Sequence, residues 1–242
     1  MSALDGRTAL VTGASRGIGL AIADALEAEG ALVVRVARSV APRDSEVALL
    51  RRTGGVDRRI ELRCDVTLEH EVQRLAETVR ESIGAPDILV NNAGAFVLKP
   101  LAQTTAEEFR RQVEVNLVGA FLVARAMVPP MAQRAAGHVV TIGSIADHRA
   151  FPGNAGYAAS KFGLRGLHQT LRAEFAGSGL RFTLISPGPT DTTLWDPVEP
   201  DRRADLPSRA RMLQAGDVAD AVRFAVTRPP RATVELLRLM PT

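Results

Sequence analysis

Short apolar runs and amphipathic stretches alternate along the whole chain. Residues 7–11 form an apolar run that leads into a glycine-rich turn, after which Ile18, Ile22 and Leu26 recur every four residues. That spacing is the stripe of an amphipathic helix, which stops at Gly30. Residues 31–37 read as a second strand, and 59–64, 87–90 and 138–143 as further strands. Helical patterns lie between them, including long ones around 109–131 and 157–176. Strand and helix segments alternating to the end predict one α/β domain over residues 1–242. Its core is a doubly wound, Rossmann-type parallel sheet with helices on both faces. There is no internal repeat, low-complexity tract or linker, and no apolar stretch is expected to be long enough to span a bilayer.

The turn Thr12-Gly13-Ala14-Ser15-Arg16-Gly17-Ile18-Gly19 lies between the first strand and the first helix. Strand, glycine turn, helix, strand is the setting in which backbone cradles a phosphate. Gly13 permits the tight turn, Gly17 close approach to a pyrophosphate, and Gly19 close packing of helix on strand. Ser15, Arg16 and Ile18 belong to the same cradle, at a helix N-terminus whose free N–H groups favour an anion. The spacing is G-x-x-x-G-x-G, a variant of the common dinucleotide fingerprint. A carboxylate at the tip of the second strand would hold an unphosphorylated ribose. Here that strand ends Val36-Ala37-Arg38-Ser39, and Arg38 with Arg16 suits a 2′-phosphate instead. NADP(H) is therefore expected ahead of NAD(H).

Tyr157 is the only tyrosine, and Lys161 is one of only two lysines against 28 arginines. On a helix, positions i and i+4 share a face, so phenol and ammonium should lie side by side. A free phenol has a pKa of about 10. A cation about 4 Å away, at an effective dielectric near 20, favours the phenolate by at most roughly 4 kcal/mol, a ceiling that would bring the pKa to about 7, while solvent trims it and burial alone pushes the other way.

Together with Asp65-Val66, Asn91-Asn92-Ala93-Gly94, Asn116, Ser144 and Pro187-Gly188 followed by Thr192, these motifs resemble the short-chain dehydrogenase/reductase family in its single-domain branch. The similarity runs from Gly6 to about Val234. The resemblance implies a catalytic tetrad of Asn116, Ser144, Tyr157 and Lys161. Tyr157 would exchange a proton with the substrate oxygen, and Ser144 would hydrogen-bond that oxygen. Lys161 would lower the phenol pKa and hold the nicotinamide ribose, while Asn116 would hold a water continuing a proton relay. It also implies that Asp65 and Val66 contact the adenine ring. Asn92, Ala93 and Gly94 would line the cofactor beside the central sheet, and Pro187, Gly188, Thr190 and Thr192 would hold the nicotinamide end.

Composition excludes other classes. Net charge is only +3 and the arginines are interspersed with acids, which does not suggest a nucleic-acid surface. A single cysteine, Cys64, allows no internal disulfide and suits a reducing cytoplasm. His70, His138, His148 and His168 have no metal-ligand spacing. Residues 1–5 lack a signal-peptide pattern.

The substrate is the least legible part. By the resemblance, residues of about 187–213 form the substrate loop, where Trp195, Asp196, Arg202, Arg203, Arg209 and Arg211 are candidates to face a ligand. Phe96, Ile145, Ala146, His148, Phe151 and Asn154 would line the pocket. Trp195 either stacks on the ligand or anchors the loop. The arginines hint at an acidic substrate such as a hydroxy or oxo acid. The expected activity is hydride transfer between NADP(H) and a carbonyl or secondary alcohol. The alternatives are 3-oxoacyl-thioester reduction and a non-catalytic NADP(H)-sensing or scaffold role. The ending, 234–242, departs from the Asn/Asp-Gly-Gly finish of oxoacyl-carrier-protein reductases. The helices around 109–131 and 157–176 carry enough apolar and small residues for the family's usual homodimer or homotetramer interface.

Overall fold

The first apolar run is strand β1 (Thr8–Thr12), and the glycine turn leads into helix α1 (Gly17–Ala28) and strand β2 (Leu32–Ala37). The computed structural model describes residues 2–39 and 59–242. After β3 (Arg59–Arg63) come α2 (Glu69–Ile83), β4 (Ile88–Asn91), α3 (Ala106–Val113), α4 (Gly119–Gln133) and β5 (Gly137–Ile142). The chain continues through α5 (Ala155–Glu174), β6 (Leu180–Pro187), α6 (Ala215–Val226) and β7 (Leu236–Leu239). The seven strands form one sheet in the order β3-β2-β1-β4-β5-β6-β7, every pair parallel. The winding direction reverses between β1 and β4. A crevice therefore opens there at the carboxyl ends of the strands, the usual ligand position in open α/β sheets.

Both faces of the sheet are covered, which is why its central strands are apolar at nearly every position. On β1, Leu10 packs on one face with Leu89, Val123 and Met127, while Ala9 and Val11 pack on the other with Ile22, Leu26 and Val222. Helices α1 and α6 thus cover one side, and α2 and α4 the other. Arg35 interrupts the valines of β2 and is 3 % exposed. Its guanidinium reaches α1, donating to Glu27 at 2.8 Å and Asp24 at 2.5 Å, so the buried charge is paired twice.

The pattern around 109–131 is one helical run, Ala106–Gln133, as expected, with a local change of winding inside it. A π-helical turn, Glu114–Val118, separates α3 from α4, and Asn116 lies in it. The run Ala106–Gln133 is also, at 28 residues, long and apolar enough to cross a membrane by length and composition, contrary to the expectation from sequence. In the fold more than half of its most apolar window is buried, as in a core helix, with Leu122, Met127 and Met131 in the core beneath the sheet.

Two histidines are sealed into this core. His138 on β5 meets Thr183 Oγ1 at 2.7 Å through Nε2, and that hydroxyl donates to the Val234 carbonyl at 2.6 Å. Nε2 must therefore carry the ring proton, and Nδ1 is buried without a hydrogen bond among the described residues. Burial pushes the His138 pKa down to about 3 and that of His168, bonded to Thr141 at 2.9 Å, to about 4. Both are neutral in the folded protein at pH 7, whereas in the unfolded chain they take up protons below about pH 6.5. Stability should therefore fall as pH drops from 7 towards 4, by about 2 kcal/mol per histidine at pH 5. Urea unfolding at pH 7 and pH 5 checks this: in His168→Gln the pH-dependent loss should shrink by about 2 kcal/mol, and an unchanged loss would refute the assignment.

Candidate active site

A cavity of about 920 Å³ runs along the carboxyl ends of the strands, from the tips of β2 and β3 to the loop that follows β6. Its middle is the glycine turn. A side chain at Gly19 would place Cβ 2.2 Å from the Gly13 carbonyl oxygen and 2.4 Å from the Asn92 amide, so only glycine fits there. Gly17 has φ +57°, and any Cβ would lie 3.3 Å from the Thr192 methyl group across the cavity. The turn is held from β4: the Asn92 side-chain amide donates to the carbonyls of Thr12 at 2.9 Å and Gly13 at 3.3 Å. Thr12 Oγ1 in turn accepts from the backbone N–H groups of Asn92 and Ala93 at 3.0 and 3.1 Å. Helix α1 begins without a side-chain cap or an acidic residue in its first turn. Its first N–H groups and its dipole are left for an anion, and the bare backbone around Gly17 gives a pyrophosphate room to approach.

The positive charge of the cavity gathers beyond this turn. Arg16 has no carboxylate partner among the described residues, and Arg38 reaches Asp65 only at 3.9 Å. Burial opposes ionisation of Asp65, but the Thr67 hydroxyl and N–H bond to it, and the fields of Arg38 and Arg111 add to them. Its carboxyl is thereby held below the usual range. Arg111, on α3, lines this end and was not foreseen; no motif marks it. Ser15, Ile18, Val66, Ala93 and Gly94 line the same stretch, as expected.

At the other end, the end of β5 and the first turns of α5 supply the reacting groups. Ser144 caps the 3₁₀ turn that follows β5, its Oγ accepting from the Ala146 N–H at 3.1 Å, and it pulls the Tyr157 pKa down. Lys161, on the same face of α5, donates to the Ile142 carbonyl at 2.9 Å. Ser144, Tyr157 and Lys161 all line the cavity. The expected low phenol pKa is corrected by the structure. Lys161 Nζ lies over the tyrosine ring, 5.6 Å from its centre, rather than beside the hydroxyl. Burial pushes Tyr157 up to about 12, against the pull of Ser144, and pushes Lys161 down to about 8. In this environment Tyr157 is a protonated donor at neutral pH.

The sequence also missed a group of consequence at this end. Asp147 is 1 % exposed and ends the 3₁₀ turn Ile145–Asp147. Its carboxylate accepts from the Ser186 hydroxyl at 2.5 Å, the Ser144 N–H at 3.2 Å and His148 Nδ1 at 2.7 Å. It raises the pKa of both Tyr157 and Lys161, acting as the buried counter-charge of the lysine. The signal that could have found it is the spacing Ser144-x-x-Asp147, a capping box. His148, expected in the pocket, is outside its lining because its ring is turned to Asp147.

Asn116 is fully buried and does not line the cavity. Its side chain accepts from the Ala95 N–H at 2.7 Å and donates to the Ala95 carbonyl at 2.9 Å and to Ser160 Oγ at 2.8 Å. The Ser160 hydroxyl in turn donates to the Tyr157 carbonyl at 2.7 Å. Asn116 thus fastens the segment carrying Phe96 to the helix carrying Tyr157. Of the other expected pocket residues, Phe96, Ile145, Ala146, Phe151, Asn154 and Trp195 all line the cavity, as do Pro187, Gly188, Thr190 and Thr192.

The substrate loop is clasped at its feet. Thr190 bridges Leu213, the Asp191 N–H bonds the Leu213 carbonyl at 2.7 Å, and the Leu213 N–H bonds Pro189 at 2.9 Å. Within it, Arg209 is held by Asp191 and Asp196, each at 2.6 Å, and Arg202 by Glu199 at 2.9 Å. Among the loop's candidate ligand contacts, only Trp195 and Arg203 line the cavity.

The sequence profile described as short chain dehydrogenase matches residues 7–203. The chain belongs to the short-chain dehydrogenase family. It is 37 % identical over 241 residues to a glycine betaine reductase of Emericella nidulans, covering 98 % of this chain but only 19 % of that much longer protein. It is 34 % identical over 235 residues to a 3-oxoacyl-[acyl-carrier-protein] reductase of Synechocystis, covering 97 % of this chain and 94 % of that one. Among solved structures, an alcohol dehydrogenase from the archaeon Thermococcus sibiricus, complexed with 5-hydroxy-NADP, superposes with a TM-score of 0.81 at 30 % identity. That match covers 96 % of this chain and 95 % of the other.

In this short-chain dehydrogenase Lys161 should govern the alkaline limit of reduction. Its ammonium, faced by Tyr157 and Asp147, is charged below about pH 8 and lost above it. The reduction rate should therefore fall above about pH 8. Asp147→Asn, by removing the field that raises the lysine pKa, should shift that limb to lower pH. A pH–rate profile whose alkaline limb stays in place in the variant would refute the coupling.

Proposed function

We propose that this short-chain dehydrogenase is an NADP(H)-dependent carbonyl reductase or alcohol dehydrogenase. The observation that carries this reading is the cluster of Ser144, Tyr157 and Lys161 on the wall of the cavity that holds the glycine cradle. When bound, the cofactor supplies the hydride in reduction or accepts it in oxidation. This chain's own residues do the remainder. Tyr157 gives its proton to the carbonyl oxygen, and Ser144, on the same wall of the cavity, offers that oxygen a second hydrogen bond as charge develops. Lys161 places positive charge beneath the phenol, Asp147 keeps that charge in balance, and the Trp195 loop screens the site from water.

NADP(H) is favoured because β2 ends in Arg38 rather than an acid, with Arg16 and Arg111 nearby, three guanidinium groups suited to a 2′-phosphate. The complex of the Thermococcus sibiricus enzyme with 5-hydroxy-NADP is consistent with this preference. The Synechocystis relative supports a second reading, reduction of 3-oxoacyl thioesters. A non-catalytic NADP(H)-binding role is disfavoured by the assembled Ser144–Tyr157–Lys161 group.

The test is NADPH consumption with ketones, aldehydes, quinones and acyl thioesters. Tyr157→Phe should reduce turnover by at least about a hundredfold while leaving NADPH affinity near that of the native protein. Arg38→Asp should weaken NADPH and strengthen NADH. Turnover that survives loss of the phenol would refute the mechanism, and an unchanged cofactor ratio would refute the role of Arg38.

We also propose a homodimer or homotetramer built on α3, α4 and α5, where Phe109, Phe121 and Phe162 are 40, 42 and 46 % exposed. Sedimentation at a mass near 25.9 kDa would overturn this.

A further inference from the structure

We propose that the reaction end of the cavity is built for a neutral carbonyl compound bearing an aryl or similarly bulky apolar group, and that it rejects carboxylate substrates. This inference rests on the carbonyl-reductase reading and reverses the hint of an acidic substrate given by the arginine-rich loop.

Shape and polarity come first. Phe96 stands edge-on to the Tyr157 ring, with centres 4.9 Å apart and planes at 79°, and meets Trp195 of the loop at 5.0 Å. These three rings make a continuous aromatic wall from the proton donor to the loop. Leu98, Phe151 and Leu206 extend the apolar lining. Such surfaces reward a flat apolar group placed beside the carbonyl. The other side chain of note is neutral: Asn154 lines the cavity, and its Oδ1 is buried without a partner among the described residues.

Charge then decides the class. The guanidinium groups that line the cavity without a close carboxylate, Arg16, Arg38 and Arg111, belong to the glycine turn, the tip of β2 and the region of Asp65. Arg16 and Arg38 sit on the nucleotide side of the cavity, at the glycine turn and the tip of β2, and the field of Arg111 is spent on Asp65. At the reaction end the lining cations are Lys161, which the chemistry uses, and Arg203. Arg203 is gripped in a two-pronged pair by Asp205, at 3.1 and 2.7 Å, and Asp205 itself faces the cavity. Arg209 is held by aspartates and does not line the cavity, while Arg149 stacks over Phe151 at 5.3 Å and likewise stays outside the lining. Residues 187–213 carry five carboxylates against four guanidinium groups, so the loop has no surplus of positive charge. A substrate carboxylate would give up its water to meet an aromatic wall and Asp205, with no free cation lining this end among the described residues.

The matched probes are methyl benzoylformate and benzoylformate, which share the aryl ketone and differ in the charge. Turnover is followed with NADPH. Binding is followed separately, through the fluorescence of Trp195, the only tryptophan, in enzyme saturated with NADP⁺. We expect kcat/KM for the ester to exceed that for the acid by at least about a hundredfold, with a parallel gap in Kd. Asp205→Asn, which releases Arg203, should narrow the gap by at least about tenfold. An acid bound and reduced as well as the ester overturns the inference, as does an ester that leaves Trp195 unperturbed and is not reduced. If the ester binds at Trp195 and the acid does not, yet neither is reduced, the specificity inference stands and the carbonyl-reductase reading falls.

Discussion

The amide of Asn92 ties the end of β4 to the turn after β1 at the one place where the sheet reverses its winding. Its bonds to the Thr12 and Gly13 carbonyls, and the reciprocal bonds from Asn92 and Ala93 to Thr12 Oγ1, fix the backbone of the glycine turn. The rest of the crevice takes its position from that fastening. Gly19 is pressed against Gly13 and Asn92, which sets the start of α1 and the direction in which its free N–H groups point. Pairing of β4 with β5 then places Ser144 a fixed distance along the same edge. The glycine turn and the Ser144–Tyr157–Lys161 cluster share one rim because one polar contact holds the switch point in register.

The reacting end is governed by burial more than by proximity of charges. Separation in sequence puts Tyr157 and Lys161 on one face, but the lysine spends a hydrogen bond on Ile142 and sits over the ring. Desolvation therefore dominates both groups, and the buried carboxylate of Asp147 becomes the field that both feel. A carboxylate enclosed at 1 % exposure survives because three donors satisfy it. The site is a balanced set of buried charges rather than a simple ion-assisted phenol.

How much of this could be read from sequence follows from what each feature depends on. The glycine turn, the apolar strands and the Tyr157–Lys161 spacing are local, and local spacing survives into the fold. Asp147 ends a 3₁₀ turn that His148 caps, and that both turn away from the cavity, towards each other, depends on a rotation of the chain that no spacing reveals. Asn116 reads as a mid-helix oddity; only the π turn and the two bonds to Ala95 show that it fastens one segment to another. The loop arginines failed for the same reason on a larger scale. Arg209 has partners 18 and 13 residues away, and Arg111 approaches Asp65 from another element. The free or neutralised state of each is a property of the folded chain, not of its own segment.

The clasp formed by Pro189, Thr190, Asp191 and Leu213 has a wider meaning. Because the two feet of the loop bond to each other, the entropy of closing it is met at its base, and the segment between can change length or composition at little further cost. The loop is in effect a detachable module seated on a permanent frame. One scaffold of this kind can diversify the compounds it accepts while its glycine turn and the Tyr157 cluster stay untouched, since replacing residues between the feet disturbs neither Asn92 nor Asp147.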